Sequence, residues 1–381
     1  MVSSLWPPTT LGGAESYAAA LAERLVERGH EVAVMTGGVV GPDVVASIAP
    51  RPYRLDSYAE QSAARRLEFH VRDVYRKTAG DALRRTIDDV RPDIVHTHAV
   101  AGLSAAVLAE PSRSGVPHVH TLHDYWLRCE RSTLVRRNGM RCDRRCVSCR
   151  VLSGARAAII ARHPPDVVLA VSAAVVRGHD GLGWLTDRTR ILYNPVEDRP
   201  RTPDVPPPPP AFGFVGRLTR EKGVATLVHA FRDAAIAGAR LLIAGEGPLE
   251  QAVSDLAVPG VELLGRIGGD RRDQLLDDVL ALVVPSEWAD PAPLVVNEAR
   301  ARRVPVIGAS IGGIPELVSP VCRELLFPPG DAGALADRLR RVAQDPGEFV
   351  ADDRDGLLSW DAHVEAVLQA YEDARGGAND G

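Results

Sequence analysis

The sequence predicts an α/β protein built from two doubly wound, parallel-sheet domains. Short apolar runs alternate with segments of helical period along the whole 381 residues. That is the pattern of parallel strands covered on both faces. Glycine turns follow several of the runs, where such sheets bind ligands. Residues 200–210 hold seven prolines, five of them consecutive, a stiff spacer that cannot be core. We therefore expect a first domain over 1–195, a proline-rich linker over 196–210, a second domain over 211–355, and a closing helix and tail over 356–381. The length suits two cores of about 150 to 200 residues each.

In the first half, Ala14 to Arg28 reads as a helix, with Tyr17, Leu21 and Leu25 near one face and a stop at Gly29. Glu31 to Met35 reads as a strand. Residues 61–90 are expected to form one or two arginine-rich amphipathic helices. Asp93 to His96 is a short buried strand, and Gly102 to Glu110 a further helix. Val116–Leu122, Val167–Val171 and Arg190–Tyr193 complete the strands. In the second half the strands are Phe212–Val215, Arg240–Ala244, Val261–Leu264, Val279–Val284 and Val304–Ile307, with helical patterns between them. The stretch from Ser359-Trp360-Asp361 onward is helical, with apolar Val364, Val367, Leu368 and Tyr371.

The strand ends carry the chemistry. After Phe212–Val215 comes Gly216-Arg217-Leu218-Thr219-Arg220-Glu221-Lys222-Gly223. Lys222 is one of only two lysines, with Lys77; the other 43 of the 45 basic residues are arginine. A compact ammonium kept at this turn, five residues after Arg217, makes a two-pronged cationic clamp suited to a pyrophosphate. Gly245-Glu246-Gly247-Pro248 follows the next strand, its glycines allowing close backbone approach. Asp290 and Glu298 lie eight residues apart across a loop and a helix start, spaced to hold hydroxyls of neighbouring sugars. Ser310-Ile311-Gly312-Gly313-Ile314-Pro315-Glu316 adds another glycine turn into a helix, a plausible anion seat.

Taken together, these residues resemble the retaining GT-B glycosyltransferases, specifically family 4 (glycosyl transferases group 1). The resemblance spans nearly the whole chain and is most specific over 212–317. It implies two Rossmann-like domains facing a cleft, an N-terminal one for the acceptor and a C-terminal one for a nucleoside-diphosphate sugar, with the last helix crossing back to the first domain. It assigns Arg217 and Lys222 to the donor diphosphate, Glu298 to the ribose, Asp290 to the transferred sugar, and the main chain near Arg266 and Ile267 to the base. Gly216, Gly245, Gly247 and Leu294 join that donor site. Gly12-Gly13-Ala14-Glu15 resembles the family's glycine turn beneath the diphosphate. His123, in Thr121-Leu122-His123-Asp124-Tyr125-Trp126, resembles its histidine at the cleft, a hydrogen-bond donor or proton handler.

The chain departs from the family twice. Where the family carries glutamate, Asp290 has an arm shorter by a methylene. The full strand expected before Gly12 is reduced to Met1-Val2-Ser3-Ser4, room for a stub, so we expect a misassigned start codon or a truncated chain. His96 and His98, two apart at another strand end, are expected to face opposite ways, which argues against joint chelation.

The family's chemistry expels the phosphate and delivers the acceptor hydroxyl on the same face, mainly by positioning and electrostatics. Metal-dependent sugar transferases place Asp-x-Asp after a strand; here that spelling occurs only at Asp353-Arg354-Asp355, outside any strand pattern. No catalytic cofactor is therefore expected, with Arg217 and Lys222 in place of a divalent cation. Cys129, Cys142, Cys146 and Cys149, spaced C-x12-C-x3-C-x2-C, suit a structural zinc ion; reduced thiols are the alternative. Cys322 stands apart as a core residue.

The insertion 128–150 is strongly basic, with Arg128, Arg131, Arg136, Arg137, Arg141, Arg144, Arg145 and Arg150. With Arg65, Arg66, Arg72, Arg76 and Lys77 it makes a positive face suited to an anionic acceptor or an anionic membrane. A net charge of −5 and the absence of interleaved aromatics exclude a nucleic-acid coat. No apolar run is long enough to span a bilayer and no signal peptide opens the chain, so we expect cytoplasmic residence, at the inner membrane face where lipid-linked acceptors are presented. A nucleotide-sugar 2-epimerase of the same fold and a zinc-ribbon interaction module are the competing readings. A Rossmann dehydrogenase is disfavoured, because no G-x-G-x-x-G follows a strand with an acid about 20 residues on.

Overall fold

The computed structural model describes residues 1–9, 12–38, 41, 44–48, 61–136, 142, 144–197, 199, 209–350 and 356–377. Most of the proline-rich stretch, Arg137, Arg141 and Asp353-Arg354-Asp355 lie outside the described residues. The chain divides into two compact units. One takes Met1–Leu134, Cys142–Asn194 and Trp360–Gly381; the other takes Pro195–Ser359 with Val135–Arg141.

Among the described residues the first unit holds seven parallel strands: β1 (Val2–Ser3), β2 (Val34–Thr36), β3 (Val44–Ser47), β4 (Val95–Thr97), β5 (His118–Leu122), β6 (Val167–Ala170) and β7 (Thr189–Ile191). Their order is β3-β2-β1-β4-β5-β6-β7, which reverses direction between β1 and β4. The stub β1 stands at that reversal, pairing Val2 with Met35 on one side and with Thr97 on the other. The helix Gly13–Glu27 follows. Residues 61–90 form two helices, Ala63–Arg72 and Lys77–Val90, as their apolar period allows.

The last helix, Trp360–Gly377, belongs to this first unit. Its Val364, Val367, Ala370 and Ala374 are fully buried against Tyr17, Leu21 and Leu25 of the first helix and Val119, Val167 and Leu169 of the sheet. Each of the two valines contributes roughly 1.5–3 kcal/mol by leaving water. Salt bridges from Arg28 to Asp361 and Glu365, at 2.7 and 2.9 Å, stitch the exposed rim.

The second unit is a five-stranded parallel sheet among the described residues: β8 (Ala211–Val215), β9 (Arg240–Ala244), β10 (Val261–Gly265), β11 (Ala281–Val284) and β12 (Val306–Gly308). The order β10-β9-β8-β11-β12 reverses between β8 and β11, which pair through Ala281–Phe212 and Leu282–Gly213. Phe212, Ile243, Leu282 and Ile307 are wholly buried, the near-continuous apolar strand that a doubly covered sheet requires. Each unit is thus a doubly wound α/β sheet, and each has one point where loops diverge at the carboxyl ends of neighbouring strands.

Candidate functional site

In the second unit the divergence point is built by the chain leaving β8 and the chain leaving β11. Leu218, fully buried, anchors the first loop, and a single 3-10 turn, Arg220–Lys222, carries it to the next helix. Gly223 closes that turn at φ 71, and a Cβ there would stand 1.9 Å from the carbonyl oxygen of Pro285. Only glycine lets the two loops touch. The contact is held by the N–H of Glu287 donating to Glu221 O at 2.8 Å and by Thr226 Oγ1 on Glu287 Oε1 at 2.6 Å.

This geometry delivers Lys222 to Asp290. Their Nζ and Oδ2 lie 2.5 Å apart, with Asp290 buried, and the ammonium sits 5.4 Å from the Trp288 ring centroid. Gly312, at φ 61, presses its backbone against Asp290 from the other side; a Cβ there would meet Asp290 O at 2.3 Å. The N–H of Gly313 donates to that same oxygen at 2.8 Å. Arg217 is exposed and faces Glu221 at 3.5 Å. Both prongs of the expected clamp are therefore at the divergence point, and each is paired with a carboxylate. The short arm of Asp290 ends on Lys222.

Glu298 lies on the helix Leu294–Ala301 after the same loop. Arg272 reaches its Oε1 at 3.3 Å, while its Oε2 is buried with no hydrogen-bond partner. Burial raises the carboxyl above its ordinary range, and the Arg272 guanidinium works against that rise. Arg266, exposed, and Ile267, half-buried, follow β10. The glycines after β9 answer to the chain itself: Cβ atoms on Gly245 and Gly247 would stand 1.8 Å from Gly216 O and 2.5 Å from Leu218 O. Two buried polar atoms at this point were not singled out from sequence, Thr219 Oγ1 and Trp288 Nε1, both without a hydrogen-bond partner. The signal was a tryptophan and a threonine in strand-end loops, a composition too ordinary to stand out.

In the first unit, His123 follows β5 directly. It shares a hydrogen bond with His98 Nδ1 at 3.2 Å, and its ring lies 5.1 Å from that of Tyr17. The His98 ring is tilted by 34° against that of His96, ring centroids 4.1 Å apart. The expectation that these two face apart is corrected: residues two apart in a strand share a face. His96 in turn bonds Thr121 Oγ1 at 2.7 Å and the Tyr371 hydroxyl at 2.8 Å. The Tyr17 hydroxyl meets His363 at 2.7 Å, so the last helix contributes two polar anchors to this network. Burial lowers His123 to about 3 and holds His96 and His98 well below the ordinary histidine range. The imidazoles are neutral, able to donate or accept a hydrogen bond without adding charge. Asp124, next in sequence, is raised to about 6 by burial; its position beside His123 is the signal that could have marked it. Gly12 caps the first helix, its N–H donating to Glu15 Oε2 at 3.0 Å. That amide is engaged by the protein's own carboxylate.

In the cysteine segment, the donor atoms of Cys146, Cys149 and Glu130 lie within 4.8 Å of one another, and Cys142 is not among them. Among the described residues no helix is long and apolar enough to cross a membrane.

Comparison with known proteins places this geometry. Residues 11–199 match the family model described as Glycosyltransferase Family 4, and residues 209–345 match that described as Glycosyl transferases group 1. An uncharacterized 42.6 kDa protein in the cps region of Klebsiella pneumoniae is 27% identical over 330 residues, covering 83% of this chain and 86% of its own. A 2-deoxystreptamine N-acetyl-D-glucosaminyltransferase of Streptomyces fradiae is 28% identical, covering 99% of this chain and 94% of its own. The crystal structure of Anabaena HepE in complex with UDP-glucose superposes with a TM-score of 0.62 at 17% identity, over 100% of this chain and 98% of that one. The fold and both family matches define a glycosyltransferase of the GT-B class. The chain belongs to glycosyltransferase family 4.

Proposed function

We propose that the protein transfers a sugar from a nucleoside-diphosphate sugar to an acceptor hydroxyl in glycan biosynthesis, with retention at the anomeric carbon and without a catalytic metal. The observation that carries this reading is the ion-paired Lys222 at the point where the loops after β8 and β11 diverge. A diphosphate arriving there displaces two carboxylates from two cations: Glu221 from Arg217 and Asp290 from Lys222. The released Asp290 then faces the sugar. Glu298 Oε2, buried and without a partner, accepts from the ribose hydroxyls. Support for a nucleotide-sugar donor comes also from the UDP-glucose held by the HepE structure.

In the chemical step the bond from the anomeric carbon to the diphosphate oxygen breaks as the acceptor oxygen bonds the same face. The departing phosphate oxygen takes the acceptor proton. Arg217 and Lys222 stabilise the charge that develops on the leaving diphosphate, each charge-assisted hydrogen bond being worth roughly 1.5–3 kcal/mol. His123 serves as a neutral hydrogen-bonding group, held by His98. The exposed Arg131, Arg136, Arg144, Arg145 and Arg150 favour an acceptor carrying negative charge or lying on an anionic membrane.

A panel of nucleotide sugars, incubated with the protein and a chelator, tests the reading through release of free nucleoside diphosphate. One or a few donors should be turned over despite the chelator. Turnover only after a divalent ion is restored contradicts the metal-independent step, and conversion of the sugar without nucleotide release points to the epimerase instead.

A further inference from the structure

The segment after His123 holds a second cluster of chemistry-bearing side chains, outside the transferase site. Cys146 caps the helix Val147–Ile160, and its sulfur accepts the N–H of Cys149 at 3.5 Å. Across from it, the chain from Cys129 to Leu134 turns through positive φ at Ser132 (60) and Leu134 (56). That turn aims the N–H groups of Arg131, Thr133 and Leu134 at the sulfur of Cys129. Cys129 and Cys149 are themselves hydrogen-bonded, and the N–H of Glu130 points at Cys149. The donor atoms of Glu130, Cys146 and Cys149 lie within 4.8 Å of one another, and Glu130 Oε1 is buried there with no hydrogen-bond partner. A carboxylate oxygen sealed from water with no donor is unfavourable. Glu130 Oε1 is thus a buried acceptor without a donor, set beside the sulfurs of Cys146 and Cys149.

We propose that Cys129, Cys146, Cys149 and Glu130 bind a thiophilic divalent metal ion of the zinc class. Three sulfurs and one oxygen are an accepted tetrahedral set, with metal–sulfur bonds of about 2.3 Å and metal–oxygen bonds of about 2.0–2.2 Å. Binding releases the thiol protons to solvent and involves no change of oxidation state. Cys146 is exposed and gives the ion its way in. With every coordination position held by protein, the ion pins the start of the helix Val147–Ile160 to the turn that follows β5. The set differs from the four-thiol one that spacing predicts: Cys129 and Cys142 both lie outside the three donor atoms within 4.8 Å of one another, and Cys129 joins them through its contact with Cys149, whereas the N–H of Cys142 donates to Leu134 O at 2.8 Å. The site stands independently of the transferase reading.

The test is metal content of the chain purified under reducing conditions without chelator, by inductively coupled plasma mass spectrometry. Cobalt titration of the stripped protein follows, monitored by thiolate-to-cobalt charge transfer. Wild type should carry close to one ion per chain and develop the thiolate band. Glu130→Gln should bind cobalt at least about tenfold more weakly, as loss of a ligand or its support does, and Cys149→Ser should lose the thiolate band. Cys142→Ser and Cys322→Ser should bind as wild type. Wild-type protein with neither metal nor a thiolate band overturns the site. Loss in Cys142→Ser with full binding in Glu130→Gln overturns the ligand set. Should Cys149→Ser fail to fold, the wild-type stoichiometry and Glu130→Gln still decide.

Discussion

Single residues carried unequal amounts of information. Lys222 was conspicuous because lysine is almost absent from the chain, and Glu298 because an acid opened a helix after a strand-end loop. Neither position revealed its partner: Asp290 is 68 residues from Lys222 in sequence, and the loops are brought together by close approaches at Gly223 and Gly312 and by the bonds of Glu287 to Glu221 and Thr226. The expectation for His96 and His98 fails on strand periodicity, and their adjacent rings correct it. At this scale we predict that Glu298→Gln weakens binding of the donor's nucleoside diphosphate by tenfold to a hundredfold, the equivalent of a charge-assisted bond of about 1.5–3 kcal/mol. Calorimetric titration checks it. An unchanged dissociation constant would remove Glu298 from the ribose contact.

Secondary elements were legible where apolar period and glycine stops agreed, as in the first helix and in β8 to β12. Two were missed. β3 (Val44–Ser47) is a sheet-edge strand with exposed and half-buried positions, so no apolar run announced it. The helix Val147–Ile160 begins inside the cysteine and arginine cluster, and its buried positions include Ser153 and Arg156, which conceal the usual stripe. Arg156 is buried because Asp73 receives it at 3.3 Å and the Trp126 ring lies 4.4 Å beneath it, partners distant in sequence. The packing of the last helix on the first yields a direct prediction. Leu21→Ala, at a wholly buried position between them, should destabilise the first unit by about 2–5 kcal/mol. Denaturant titration with a probe in that unit measures it; a loss below 0.5 kcal/mol, the range of surface changes, would show that this interface is not packed as described.

For the whole molecule, the density of buried histidines sets a pH dependence. Among the described residues seven are lowered by burial, with His120, His179 and His363 near 4, His123 near 3, and His96, His98 and His118 well below the usual value. Below pH 6.5 the unfolded chain binds protons that the folded chain refuses. Their contribution is therefore complete above 6.5 and is lost as pH falls toward 4. Asp73, Asp124 and Glu298, whose carboxyls burial raises, have the opposite sign, but three carboxyls do not offset seven imidazoles. The thermal midpoint should fall steeply between pH 6.5 and 5; a flat profile would mean that the histidines are solvated. Two doubly wound units, each with one divergence point, were readable from the order of strands and glycine turns. The pairing of every clamp cation with a carboxylate was not, since it depends on contacts between loops.

The central claim is that Lys222 holds the donor's diphosphate in place of a metal ion. The most direct measurement is donor turnover by Lys222→Ala against wild type in the presence of chelator, with the unfolding midpoint of each read alongside because the substitution also leaves Asp290 without its cation. The prediction is a loss on the order of a hundredfold or more in a protein that remains folded; near-normal turnover by the folded variant would contradict it.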